Sequence, residues 1–255
     1  MNFLIVSGTG TEVGKTVVTA AVVANAMGAE QRVAVVKPAQ TGVSETENGD
    51  LQEVQRLTGV ASAIEYARYP DPLAPASASR LSGRAELDLK SRVADLQTLA
   101  DNYDLVVIEG AGGLLVRFDD TPTSLADLAG WLAAPVLLVV HASLGTLNHT
   151  ELTLNHMASI GVASEGIVIG SWPVEPDLAM RSNLRDLEVI SGKPLRGALP
   201  AGAAAGDHRS FAGIAQTSLD AALDGNFDAA DFRRRHDLST LDPATQDPAT
   251  QKVGP

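Results

Sequence analysis

An α/β fold with a mostly parallel central sheet and helices on both faces is what this 255-residue sequence predicts. Short β-rich runs alternate with longer helical patterns, the signature of strands joined by crossover helices. Several of those runs are near-continuous apolar stretches, as strands buried on both faces require. Ala, Val, Leu and Gly dominate, while aromatic residues make up only 4% of the chain. That balance suits helices packed on a buried sheet better than an aromatic-rich binding surface.

The elements follow in order. Phe3 to Val6 is a strand running into a glycine-rich turn. Val17, Ala20, Ala21 and Ala24 then recur at helical spacing, so a helix begins around Lys15. Arg32 to Lys37 is a second strand, stopped by Pro38. Thr41 to Gly49 is polar, glycine-bearing and expected to be mobile. Asp50 to Leu57 opens a helix with Leu51, Val54 and Leu57 on one face. Tyr69 to Arg84, with Pro70, Pro72 and Pro75, reads as a long functional loop with room for a short helix. Asp104 to Glu109 is a strand ending in a carboxylate, and Gly110-Ala111-Gly112-Gly113 follows it. Val136 to His141 and Gly166 to Ile169 are further buried strands. The helices between and after them carry Leu147, Leu154 and Met157, then Met180, Leu184 and Leu187. Leu195 to Leu199 is a last strand and Phe211 to Leu223 a last helix. From Asn226 the pattern dissolves, and Asp242-Pro-Ala-Thr-Gln is repeated from Asp247. The chain therefore divides into one domain over residues 1–225 and a low-complexity tail, expected to be disordered, over residues 226–255. Arg233-Arg234-Arg235-His236 reads as a solvated basic cluster on that tail.

Composition excludes several classes of function. With no cysteine in the chain, disulfides, iron–sulfur ligation, cysteine zinc sites and thiol nucleophiles are ruled out. A net charge of −12 argues against general affinity for nucleic acid. The opening Met1-Asn2-Phe3-Leu4-Ile5-Val6 has no basic flank and reaches Gly8 too soon for a secretory segment. No apolar run is long enough to span a bilayer. The expectation is a soluble cytoplasmic protein with no membrane and no nucleic-acid partner.

Gly8-Thr9-Gly10-Thr11-Glu12-Val13-Gly14-Lys15-Thr16 lies between the first strand and the first helix. A phosphate-binding P-loop has glycine, four residues, then Gly-Lys-Ser/Thr. Thr9 stands where the first glycine belongs, so the match is near rather than strict. The strand before and helix after aim backbone N–H groups and the positive end of the helix dipole at an anion. Lys15 then reaches the terminal phosphates and the Thr16 hydroxyl binds Mg²⁺. A bare strand-to-helix turn also needs glycine, but Gly-Lys-Thr in frame favours the phosphate site and a P-loop NTPase fold. Glu109 is the candidate second metal ligand, because ligands of parallel sheets gather at the carboxyl ends of strands. The glycines after it let the backbone approach a ligand closely.

These motifs, with Val36-Lys37-Pro38, Gln40-Thr41-Gly42, Asp50 and Leu144-Gly145-Thr146-Leu147-Asn148-His149, together resemble the dethiobiotin synthetases. The resemblance runs in order from Asn2 to about Leu223. It implies an ATP- and Mg²⁺-dependent ring closure in biotin synthesis. CO₂ adds to one amine of 7,8-diaminononanoate, the carbamate is phosphorylated, and the second amine closes a cyclic urea with release of ADP and phosphate. Residue by residue, it implies a catalytic Lys37. Thr16, Asp50 and Glu109 match the Mg²⁺ ligands, and Glu12, Val13, Gly14, Lys15, Thr16 and Val17 the phosphate loop. Gly110, Ala111 and Gly112 continue the nucleotide site. Thr41 and the helix start Gly145, Thr146, Leu147 and Asn148 match substrate positions, with the helix amides suited to a carboxylate. That face meets a partner subunit in the family, implying a homodimer. His141 and His149 read as structural.

The chemistry fits these residue types. An alkyl amine of pKa ~10 is neutral in only about one molecule in a thousand at pH 7. Nearby cations such as Lys15 and Lys37 lower an amine's pKa and stabilise a carbamate anion. Taken singly, Lys37 is equally readable as a solvated lysine and Asp50 as a helix N-cap.

The sequence departs from the family at the base end. An Asn-Asp-type pair commonly reads adenine after the strand ending at Ile169; here Gly170 and Ser171 stand there. A relaxed or altered base choice is therefore expected, with CTP as one possible triphosphate beside ATP. Pro200, Ala201 and Gly202 match a further base-side segment, and Trp172 is readable either as a base-stacking ring or as core. The nearest rival is an ATPase switch of the partitioning or division-site type. Those carry a signature lysine where this chain has Gly10. A cobyrinate-type amide synthetase needs a cysteine glutaminase partner that this chain does not supply.

Overall fold

A computed structural model describes residues 2–236 and residue 238. In chain order the elements are β1 (Phe3–Gly8), α1 (Lys15–Gly28), β2 (Val33–Thr41), α2 (Asp50–Thr58), β3 (Ser62–Tyr69), α3 (Pro75–Ser82), α4 (Val93–Asn102) and β4 (Leu105–Gly113). Then come α5 (Leu125–Leu132), β5 (Val136–Val140), α6 (Thr146–Ser159), β6 (Ser164–Trp172), α7 (Leu178–Ser191), β7 (Gly197–Pro200), α8 (His208–Ser218) and α9 (Ala229–His236). The strands form one seven-stranded sheet in the order β3-β2-β4-β1-β5-β6-β7. All neighbouring pairs are parallel.

The sheet is central because successive residues of its inner strands are apolar on both faces. Leu4 and Val6 of β1 and Leu137 and Val139 of β5 pack beneath α1, α2 and α8. Ile5, Val106 and Ile108 face the opposite layer with Leu96, Leu125 and Leu128 of α4 and α5. Leu138, Val140, Ile167 and Ile169 meet α7 through Leu184 and Leu187. Each fully buried Val, Leu or Ile of this kind contributes about 1.5–3 kcal/mol. Asn25 of α1 is buried yet satisfied: its Nδ2 donates to the carbonyls of Ala215 (3.3 Å) and Leu223 (3.1 Å), fastening α8 to α1.

The chain winds outward from β1 through β2 and β3, returns at β4, then winds the other way through β5, β6 and β7. Such a reversal leaves a crevice at the carboxyl ends of β1, β2 and β4, where open α/β sheets bind ligands.

The structure differs from the sequence reading in three local respects. Pro38 does not stop β2, which runs on to Thr41. Pairing with β4 ends at Val36–Ile108, so the missing Pro38 N–H leaves no bond unmade on that side. The short helix allowed for between Tyr69 and Arg84 is α3, started by Pro75 at its first turn. The sequence reading also passed over β3, α4 and α5. Finally, the chain past Asn226 forms α9, where Asp228 Oδ1 accepts from the Asp231 N–H at 2.8 Å. Phe232 of α9 packs edge-on against Trp172, ring centroids 5.2 Å apart. Arg233 pairs with Glu188 and Arg234 with Asp231, so the basic cluster is ion-paired rather than simply solvated. The Asp242 and Asp247 repeat lies outside the described residues. Among the described residues, no helix is long and apolar enough to cross a membrane.

Candidate functional site

The phosphate loop is shaped by backbone before side chains. Glu12 (φ 57°) and Gly14 (φ 93°) are both left-handed, and such turns direct successive N–H groups into an anion-binding concavity. Only glycine suits position 14, since a Cβ there would also lie 2.6 Å from the Gly170 carbonyl oxygen. The contact is reciprocal: a Cβ on Gly170 would overlap the Val13 carbonyl oxygen. Gly170 thus supports the phosphate loop from beneath and is buried, while Ser171 beside it is exposed.

Lys15, the first residue of α1, turns its Nζ back to the Gly10 carbonyl at 2.7 Å. Burial, and then the Lys37 charge, bring its pKa down to about 8, against the opposing pull of Glu109 and Asp50. The next residue, Thr16, donates its hydroxyl to Glu109 Oε1 at 2.9 Å.

Lys37 is the centre of the arrangement. Its Nζ donates to Glu109 Oε1 at 2.8 Å and to the Gly110 carbonyl at 3.0 Å, and it pairs with Asp50. Only 3% of its side chain and 1% of that of Glu109 is exposed, against 34% for Asp50. Burial alone would depress the Lys37 pKa, but Glu109 and Asp50 together hold it above its ordinary value. For Asp50, burial would raise the carboxyl, and Lys37 with the Thr16 hydroxyl and Lys15 brings it below the usual range. The alternative of a solvated Lys37 is therefore excluded by geometry.

The Glu109 Oε2 atom is buried with no hydrogen-bond partner. Such an atom is costly unless something satisfies it. Thr16, Asp50 and Glu109 supply hard oxygen donors of the kind Mg²⁺ takes, leaving its remaining positions for water and phosphate. The set is two carboxylates and a hydroxyl; among the described residues, no group of three or more His, Cys, Asp or Glu gathers to hold a metal, here or elsewhere.

These side chains open onto a cavity of about 840 Å³. From the phosphate loop and the first turn of α1, Glu12, Gly14, Lys15, Thr16 and Val17 line it; Lys37 and Thr41 line it from β2, Glu109, Ala111 and Gly112 from β4, and Asp50 from the start of α2. Val13 is buried under the loop instead, and Gly110 contributes its carbonyl to Lys37. Sequence reasoning gave no individual role to Gln40, Val116 or Pro72 through Pro75, which also form its wall. The proline content of that last segment was the available signal.

The remaining candidates lie off this wall. Pro200 pairs in register with Trp172, and the Ala201 N–H donates to the Trp172 carbonyl at 2.7 Å, so the segments 170–172 and 200–202 meet at the ends of β6 and β7. The Trp172 ring is core: it is 6% exposed and sits among Phe232 and His236, which decides against base stacking. Gly145 caps α6 in a left-handed conformation, φ 94°. Thr146 is buried and Leu147 packs into the core beside α7, so both offer backbone rather than side chain to a ligand. Asn148 is exposed, as are His141 and His149, so neither histidine is a core residue.

A family model described as an AAA domain matches residues 2–208. The chain is 55% identical over 237 residues to the ATP-dependent dethiobiotin synthetase BioD of Frankia casuarinae, covering 93% of this chain and 100% of that one. It is 54% identical over 236 residues to the enzyme of the same name from Streptomyces coelicolor, covering 92% and 99%. Among solved structures, a ParA family ATPase from Chlorobium tepidum superposes with a TM-score of 0.51 at 14% identity, covering 84% of this chain and 96% of that one. That likeness shows the P-loop NTPase fold alone. With over half its residues shared with these relatives across nearly its whole length, the chain belongs to the dethiobiotin synthetase family.

Proposed function

We propose that this protein is a ligase that carboxylates 7,8-diaminononanoate with CO₂ and closes the ring to dethiobiotin, driven by Mg²⁺ and a nucleoside triphosphate. The observation that carries the reading is the buried Lys37 ammonium, held between Glu109 and Asp50 beside the phosphate loop.

In the first step an amine nitrogen bonds to the carbon of CO₂ and loses a proton to solvent, giving a carbamate. Lys37, kept cationic by its two carboxylates, cannot take that proton; it stabilises the carbamate anion. A carbamate oxygen then bonds to the terminal phosphorus while the bond to the ADP oxygen breaks. Lys15 and the loop amides hold the phosphates in line for this transfer, which needs positioning and charge neutralisation rather than a covalent nucleophile. Finally the second amine attacks the carbamoyl carbon, the bond from that carbon to the phosphate oxygen breaks, the nitrogen loses a proton to the leaving phosphate or solvent, and the cyclic urea forms. Thr16, Asp50 and Glu109 would hold Mg²⁺, whose chemistry is to neutralise charge on the transferring phosphoryl group.

The ends of the site follow the same reading. The N–H groups at the start of α6 suit the substrate carboxylate. Leu152 and Leu115 are 61% and 53% exposed and line one surface groove beside His156, an apolar display that favours a second copy of the chain against this face. Gly170 carries no amide and lies under the phosphate loop, which favours a base choice other than strict adenine.

Phosphate release measured with and without diaminononanoate plus bicarbonate tests the reaction. Strong stimulation is expected; hydrolysis indifferent to both would sink the synthetase reading. A panel of triphosphates tests base choice, and a strong preference for ATP over all others overturns that part.

A further inference from the structure

We infer that Gln40 is a positioning residue for Asp50, fixing the carboxylate through the backbone of α2; the inference rests on the assignment of Asp50 to the metal. Gln40 is 5% exposed and lies near the end of β2. Its Oε1 accepts the Asp50 N–H at 2.8 Å, and its Nε2 donates to the Thr41 carbonyl at 3.2 Å. Asp50 is the first residue of α2, and N–H groups at that position have no partner within the helix. Here the partner comes from the adjacent strand, three residues beyond Lys37.

The neighbouring residues make room for this contact. A Cβ on Gly49 would lie 2.6 Å from Gln40 Oε1, so glycine before Asp50 lets the amide in. The Gly49 N–H is taken by Gln52 Oε1 at 2.8 Å. Across the sheet, Arg68 of β3 is the register partner of Gln40. It donates to the carbonyls of Ser44 and Glu47, each at 2.9 Å, while Glu65 steadies its guanidinium at 2.7 Å. The segment read from sequence as mobile is thereby fastened to β3 by the residue beside Gln40. Asp50 is partly exposed, so this backbone clamp sets where its carboxylate meets Lys37 and Thr16.

The clamp acts on the metal side of the site and leaves the phosphate loop untouched. The test is calorimetric titration of Mg²⁺ into protein saturated with ADP, for wild type, Gln40→Ala, Gln40→Glu and Asp50→Asn. Loss of an outer partner of a metal ligand typically costs 10–100-fold in affinity, so Gln40→Ala should weaken Mg²⁺ binding about tenfold or more. Its ADP affinity in EDTA should be unchanged. Gln40→Glu keeps the acceptor oxygen but loses the donor to the Thr41 carbonyl, so it should restore only part of the Mg²⁺ affinity. The inference is overturned if Gln40→Ala binds Mg²⁺ like wild type while Asp50→Asn does not, or if ADP affinity in EDTA falls equally. If Asp50→Asn also binds Mg²⁺ like wild type, the assignment of Asp50 to the metal fails instead.

Discussion

The Lys37 ammonium and the Glu109 carboxylate meet at 2.8 Å with almost no solvent at either group. Desolvation of two charges is offset only when both are paired and further hydrogen-bonded. Lys37 meets that condition through Asp50 and the Gly110 carbonyl; Glu109 meets it at Oε1, which also accepts from Thr16, while Oε2 is left without a partner. Glu109→Ala leaves the buried ammonium with Asp50 as its one carboxylate, and should lower stability by about 3 kcal/mol in a denaturant melt. Lys37→Ala should reduce single-turnover phosphate release by about 10²–10³-fold, as loss of one preorganised charge does. Lys37→Arg should not rescue it, because a planar fork does not replace a point charge in a fitted pocket. Full turnover in Lys37→Ala would remove it from the mechanism.

Lys15 gives a pH signature. Burial and Lys37 bring it to about 8 from 10.5, so above that pH the folded protein has shed a proton that the unfolded chain still holds. Its effect on stability therefore becomes more favourable between about pH 8 and 10.5. For phosphate binding the sign reverses, because the neutral amine no longer attracts the anion. In EDTA, the logarithm of the ADP Kd should rise with pH above about 8, with a slope approaching one. Calorimetry across that range checks it, and Lys15→Arg, whose charge does not titrate, should flatten the slope.

The part of the site legible from sequence is the part held by short-range order. Lys15 and Thr16 follow from one loop and its flanking strand and helix, and Glu109 from its place at a strand end. Lys37 and Asp50 came from the family's pattern, not from periodicity, because what joins them is an ion pair between the end of a strand and the start of a helix. Gln40 was visible only as part of a motif; its role depends on how far an amide reaches towards Asp50. The edge strand β3 is half-buried along most of its length, so its sequence carries no strong apolar run. The helix α9 holds three arginines around Phe232, and the apolar partner Trp172 lies far back in the chain. Nothing local in residues 226–236 reports that contact.

Gly170 illustrates how one position reads differently in sequence and in space. From sequence it marks a missing adenine-reading amide; in the fold it is the floor under Val13 and Gly14. Gly170→Ala should destabilise the protein by about 1–3 kcal/mol through overpacking, and weaken ADP binding by displacing the loop. A melt and a calorimetric titration check both, and wild-type values in both would show that the loop does not rest on this glycine.

The exposed Leu152 of α6 tests the proposed partner face. Leu152→Glu places a charge in the groove that Leu152 shares with Leu115, and desolvating an unpaired charge at an interface core is strongly unfavourable. Sedimentation should move from dimer towards monomer, with a matching loss of turnover if α6 and its counterpart complete one another's sites. An unchanged mass would place any interface elsewhere.

Phe232 tests whether α9 belongs to the folded domain. It is 8% exposed and touches Trp172, Phe227 and His236, with ring centroids 5.2, 5.2 and 4.7 Å away. A buried Phe→Ala change costs about 3–5 kcal/mol where the site cannot collapse. Because α9 follows the rest of the domain in the chain, that loss should fall on its docking rather than on the sheet, since opening is local where few elements depend on the contact. Trypsin should then cut at Arg233, Arg234 and Arg235 much faster in Phe232→Ala than in wild type, while the main thermal transition moves little. His236, whose pKa is lowered by burial and then by Arg181 and Arg235, should return towards its ordinary value in the same variant, as followed by NMR. Equal cleavage rates in the two proteins would mean that the aromatic contact does not hold the helix.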